Sequence, residues 1–127
     1  MLNIFLVAIG GALGSVARYL TSTWVQTSSK NINFPFGTLT VNLLGCLVIG
    51  ILAQLAESRG VINSEYRAFL FVGILGGFTT FSSFGNETIS LARAGEMWNA
   101  MANIGANVIL GLFAVWMGRT AAYLIWK

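Results

Sequence analysis

Gly76-Gly77-Phe78-Thr79-Thr80-Phe81-Ser82-Ser83-Phe84-Gly85-Asn86-Glu87 is the stretch on which the reading of this chain turns. Most of it lies in an uncharged run, Ala68–Asn86, of 19 residues. That length approaches the roughly 20 apolar residues a helix needs to cross a bilayer. Yet paired glycines followed by Thr79, Thr80, Ser82 and Ser83 make a poor continuous helix. Glycine lowers helix propensity, and Ser and Thr side chains compete for backbone groups. A break here would free N–H and C=O groups at membrane depth, where they are tolerated only inside protein or along a cavity. In transporters, broken-helix carbonyls hold cations and half-helix N-termini face anions. The alternative is an unbroken helix whose small residues pack tightly.

Working outward, the rest of the chain has the same character. Its 127 residues are 56% hydrophobic and 9% charged, with a mean hydropathy of +0.77. A soluble domain carries roughly 25% charged residues, so a water-exposed surface is nearly excluded. Three further uncharged runs cover Met1–Ala17, Asn31–Ala56 and Met97–Gly118. The reading is an all-α membrane protein with four transmembrane helices and the third broken at its centre. A single domain, 1–127, is expected, with spans at about 2–22, 37–55, 68–91 and 98–125. A polar loop over 21–36 contains the sole proline, Pro35. Trp24, Tyr66, Trp98, Tyr123 and Trp126 fall near span ends, where amphipathic rings prefer the headgroup region. The N-terminus lacks a basic region and reads as a retained first span rather than a signal peptide.

Composition also excludes chemistry. The chain has no His and no Asp, and its acids are Glu57, Glu65, Glu87 and Glu96. A His-based triad, metal site or proton relay is therefore impossible, and no enzyme is expected. Cys46 is alone and reads as a small packing residue. No nucleic-acid partner is expected from a net charge of only +3.

Orientation follows Lys/Arg asymmetry in short loops. Arg59, Arg67, Arg119 and Lys127 fall on the side of the termini, and Arg18, Lys30 and Arg93 on the other. With so small a bias, either lipids or insertion kinetics orient the chain weakly, or it inserts both ways. The second alternative, dual topology, permits an antiparallel homodimer. Association is also favoured because four helices alone fill their own centre. The Gly10/Gly14 pair lets helices approach closely.

Polar residues inside spans need a partner or a function. Arg18 shares a face with Gly10 and Gly14; it either faces a vestibule or extends to headgroups. Thr38, Asn42 and Gly45 form a stripe on span 2, where Asn42 is either interhelical glue or an anion donor. Asn99, Asn103, Asn107 and Gly111 recur every four residues on span 4, and Gly118 continues the stripe. This face is buried against protein or lines a pathway. Phe81 and Phe84 are three apart and share a face, and a ring edge carries partial positive charge. Taken alone such a pair is usually core or lipid-facing; its place among hydroxyls makes it a candidate anion contact. Glu87 lies beyond Phe84, within reach of a hydroxyl or Arg18.

GGFTTFSSFGNE, together with GGALGSVARY (Gly10–Tyr19) and GTLTVNLLG (Gly37–Gly45), closely resembles the bacterial fluoride channel family, called Fluc or CrcB. The resemblance covers essentially the whole chain. It implies a dual-topology antiparallel homodimer in the bacterial inner membrane, with two pores exporting fluoride passively. Phe81 and Phe84 match the phenylalanines lining the anion path, Asn42 the span 2 donor, and Arg18 the vestibule arginine. Thr38, Ser82, Ser83 and Glu87 match the polar track. A structural Na+ at the dimer centre is implied, held by backbone carbonyls at Gly76 and Thr79. HF enters cells and dissociates near neutral pH, and a passive channel lets the trapped anion leave. A small four-span multidrug exporter is disfavoured, since span 1 has no acid to couple protons. A non-transporting assembly subunit would use these polar residues for packing alone.

Overall fold

The computed structural model describes residues 1–126; Lys127, counted above among the basic residues on the side of the termini, lies outside the described residues. Four helical spans are long and apolar enough to cross a membrane: Leu2–Ser29, Phe36–Arg59, Ser64–Arg93 and Met97–Ile125. We call the first two α1 (Leu2–Ser29) and α2 (Phe36–Arg59). The third span is two helices, α3 (residues 64–78) and α4 (Phe81–Arg93). The fourth is α5 (Met97–Ile125).

Local chemistry sets the ends. α2 follows Pro35 and stops at Gly60, whose φ of +60° suits glycine. Asn63 caps α3, its side chain accepting from Tyr66 N–H at 2.9 Å. Gly95, at φ +81°, turns the chain between α4 and α5, while Glu96 N–H returns to Leu91 O at 2.9 Å. α1 runs to Ser29, beyond the expected end near residue 22. Its 28 residues span about 42 Å at 1.5 Å per residue. Part of the stretch expected as polar loop is therefore helix, and Arg18 is followed by about three more turns rather than closing the helix.

Glycine seams join spans that are not consecutive. Against α3, a Cβ at Gly14 would lie 2.1 Å from Ile74 O, and one at Gly10 2.6 Å from Phe69 O. Gly77 returns the contact, 2.7 Å from Gly11 O. Between α2 and α5, Gly50 would meet Val115 O at 2.3 Å and Gly118 would meet Leu47 O at 2.3 Å. Both seams are backbone against backbone, the way apolar helices associate where lipid removes the hydrophobic drive. The outward surface is apolar, with Ile4, Leu13, Ile109 and Leu112 among many exposed large side chains.

The break falls where the hydroxyls are rather than at the glycine pair. Gly76, Gly77 and Phe78 remain helical, whereas Thr79 (φ −88°, ψ 158°) and Thr80 (φ −150°, ψ 108°) are extended. Gly77 is needed for close approach to α1, which explains a glycine in a helical position. The residues before it, Arg67–Leu75, form a π-helical stretch. A second π-helical stretch, Ala106–Leu110, interrupts α5.

Candidate functional site: the cleft at the broken third span

Thr79 and Thr80 each settle the break in a different way. Thr79 folds back, its N–H and its Oγ1 both donating to Leu75 O at 3.0 Å. That fixes its methyl against α2, 2.2 Å from where a Cβ on Gly45 would stand. Thr80 begins α4: its Oγ1 accepts from Ser83 N–H at 3.2 Å, an N-cap, and donates to Ser83 Oγ at 3.0 Å. Ser82 Oγ lies 3.4 Å from the same hydroxyl. The hydroxyl run is thus the start signal of a new helix.

Asn42 clamps this turn from α2. Its Oδ1 accepts from Thr80 N–H at 2.8 Å, and its Nδ2 donates to Thr80 O at 3.2 Å and to Asn107 Oδ1 at 2.9 Å. Thr80 N–H would otherwise bond Gly76 O in a continuous helix, so Gly76 O loses its helical donor. Sequence reasoning proposed Asn42 as a donor but missed this clamp, because spacing along α2 says nothing of a partner on another span.

Phe81 and Phe84 follow on α4. Their ring centroids are 5.3 Å apart, tilted by 60°. Phe84 is 8% exposed and Phe81 is 81% exposed, so one ring is seated in the protomer and the other stands outside it. Asn42, Gly76, Thr79, Thr80, Phe81, Phe84 and Asn107 all line one cleft of about 410 Å³. The expected carbonyl positions and the expected aromatic pair therefore share a single space.

Further along α4, near the start of α2, Thr38 Oγ1 donates to Glu87 Oε1 at 2.6 Å. Glu87 Oε2 is buried without a hydrogen-bond partner among the described residues. Of the two partners expected for Glu87, the hydroxyl is present and Arg18 is not. Glu87 also borders a surface cleft of about 470 Å³ together with Gln26, Phe34 and Asn86. Arg18 stands apart, half-buried on α1, and lines neither cleft.

The asparagines of α5 close the site from the other side. Asn107 Nδ2 donates to Asn103 O and to Asn103 Oδ1, both at 3.0 Å. Asn103 is fully buried and donates to Thr88 Oγ1 at 2.9 Å. Asn99 bonds instead to Glu96, near the start of α5. Gly111 and Gly118 face α2, as Asn107 does, near Cys46 Sγ and Leu47 O.

A multi-pass membrane protein with a largely apolar cleft at a helix break, into which Asn42, Asn107 and the Thr79–Thr80 turn bring a few polar groups, is the class that this fold and site define. The sequence matches the family described as CrcB-like protein, Camphor Resistance (CrcB), over residues 5–119. The chain belongs to this family. It is 48% identical over 118 residues to the Fluoride-specific ion channel FluC of Methylobacillus flagellatus, covering 93% of this chain and 92% of the relative. It is 50% identical over 118 residues to the protein of that name from Parabacteroides distasonis, covering 93% and 91%. Fluoride-specific ion channel FluC 1 of Methanosarcina acetivorans is 41% identical over 122 residues, covering 96% and 92%.

Proposed function

We propose that the protein is a fluoride-selective channel that lets the anion leave the cell passively. The observation that carries this is the single cleft uniting Asn42, the broken turn and the Phe81–Phe84 pair. Fluoride is small and strongly hydrated, so a pore must replace its water with donors. Amide N–H, hydroxyls and ring edges supply donors without a full positive charge, and an ion held that way can also leave. α4 points its N-terminus at the cleft, a further favourable feature for an anion. Ser82 and Ser83 at that terminus, and Thr38 with Glu87 one to two turns on, continue the polar track. Arg18 is assigned to a vestibule by resemblance alone.

In this proposal the working unit is an antiparallel homodimer in lipid, with two pores. Its support is Phe81, whose ring stands 81% exposed beside the polar break and would be covered by a second copy. A structural Na+ belongs to the same proposal, held by the carbonyls of Gly76 and Thr79 from both copies. The donor set fits, because Gly76 is exposed on the protomer and its carbonyl has lost Thr80 N–H to Asn42. A bound cation would offset repulsion between two anions, while the chain's own carbonyls keep it fixed. Reconstitution at the same osmolarity with N-methylglucamine replacing Na+ should lower flux and loosen the dimer; full flux in thoroughly Na+-depleted protein would remove the ion from the account.

The test of function is efflux from liposomes holding either fluoride or chloride, started by a K+ ionophore. Fluoride should leave and chloride should stay. Retention of fluoride would end the proposal.

A further inference from the structure

The amides around the break have a direction, and two backbone groups impose it. Thr80 N–H can only donate, so the oxygen of Asn42 must face it, at 2.8 Å. The NH2 group of Asn42 then faces Asn107, whose oxygen must accept, at 2.9 Å. Asn107 is left to donate to Asn103 O and Asn103 Oδ1, both at 3.0 Å, and Asn103 to donate to Thr88 Oγ1, at 2.9 Å. Thr88 discharges its hydroxyl proton onto Phe84 O, at 2.8 Å. Phe84 O can only accept. The chain therefore has one donor order from end to end. It leaves the third span at residue 80, crosses α2 and α5, and returns to the same span at residue 84. The first of these directly precedes Phe81, and the second is Phe84 itself.

We propose that Asn107, Asn103 and Thr88 are positioning residues that fix the orientation of the Asn42 amide and, through it, the affinity and selectivity of the anion path. This rests on the channel reading and deepens it. Asn103 is fully buried and Thr88 nearly so, and neither lines the cleft, so neither touches an ion there directly. Linked hydrogen bonds polarise one another, which strengthens the donors at the far end. Of the three hydrogen bonds Asn42 makes, its donation to Thr80 O is the longest at 3.2 Å. That N–H is the one Asn42 can redirect to an anion while Asn107 holds the other. If the amide were flipped, its oxygen would face the Asn107 oxygen and Thr80 O, and Thr80 N–H would lose its acceptor.

The experiment removes the far end. Thr88→Val keeps the shape but strips the hydroxyl, leaving Asn103 without an acceptor; Thr88→Ser restores the hydroxyl. Fluoride efflux from liposomes should fall roughly tenfold in Thr88→Val, chloride leak should rise relative to fluoride, and Thr88→Ser should recover both. In an Asn42→Ala background, Thr88→Val should cause no further loss, because its path to the ion is already cut. Equal losses in both backgrounds, or no loss in the parent, would overturn the proposal. Nitrogen-15 NMR of the Asn42 side chain in micelles gives a readout independent of flux. Both amide protons should shift and exchange faster with solvent in Thr88→Val than in the parent, while staying distinct, because the amide C–N bond does not rotate freely. Unchanged resonances would contradict the chain even if flux fell. If the parent carried no fluoride, the proposed function would fail, and the NMR pair would still decide the amide order.

Discussion

The third span has two halves that are held by opposite means. Before the break, α3 is fastened to α1 by glycines that bring backbone against backbone, with Gly10, Gly14, Gly73 and Gly77 forming the seam. After it, α4 is held by side chains: the Asn42 clamp, the Asn103–Thr88 bond and the Thr38–Glu87 bond. Past Arg67 the first half has no polar side chain, whereas the second carries Ser82, Ser83, Asn86, Glu87, Thr88 and Ser90. In the proposed channel the difference separates a support from a surface whose partners an ion could replace. Polar groups are costly at membrane depth, and among the described residues the buried side-chain ones have partners, Glu87 Oε2 excepted.

The comparison can be broken most severely at Gly14. Leucine there would need the space of Ile74 O, 2.1 Å from the first added carbon. Overpacking typically costs about 1–3 kcal/mol and more where the obstacle is backbone. Gly14→Leu should therefore yield almost no folded protein, read as the monodisperse fraction in gel filtration after extraction. Normal yield would mean the α1–α3 seam is not the support claimed here.

A change in the second half should leave folding and remove function. Phe84→Ile keeps an apolar side chain in a nearly buried position but removes the ring edge. Fluoride efflux should drop by at least about tenfold, equivalent to roughly 1.4 kcal/mol in the barrier, with the gel-filtration profile unchanged. A variant that lost folding and flux together would blur the two halves into one.

Gly45→Ala probes the junction. The added methyl would press on the Thr79 side chain, 2.2 Å away, whose hydroxyl is tied to Leu75 O. The turn must shift, so flux should fall several-fold and the thermal midpoint by a few degrees, since about 1 kcal/mol moves a domain of this size by a few degrees. The smallest effect belongs to Gly11→Ala. A Cβ there meets nothing within 4 Å, and alanine favours helix by up to about 1 kcal/mol. Its thermal midpoint should stay or rise slightly, in contrast to its neighbours on the seam.

Much of this division was legible in the sequence. Four apolar runs gave the spans, and the Gly10/Gly14 spacing gave the face that meets α3. The hydroxyl run gave the break to within three residues; it fell at Thr79–Thr80 because Thr80 caps α4 while Gly77 serves the seam. The π-helical stretches Arg67–Leu75 and Ala106–Leu110 had no signature in the apolar runs that hold them. Asn103 and Asn107 were visible as a polar stripe without a role. Their role depends on Asn42 and Thr88, which are distant in sequence and adjacent only after folding. Arg18 shows the reverse: its spacing put it on the glycine face, but the length of α1 leaves it well short of the helix end.

The most direct measurement pairs the parent protein with Phe81→Ile in the same liposome preparation. Phe81 is the exposed ring beside the break, and its replacement touches none of the glycine seams. The account predicts that the parent releases fluoride and keeps chloride, while Phe81→Ile, equally folded, keeps both. Fluoride leaving at the parent rate through Phe81→Ile, or chloride leaving with it through the parent, would contradict the assignment of the broken span as the anion path.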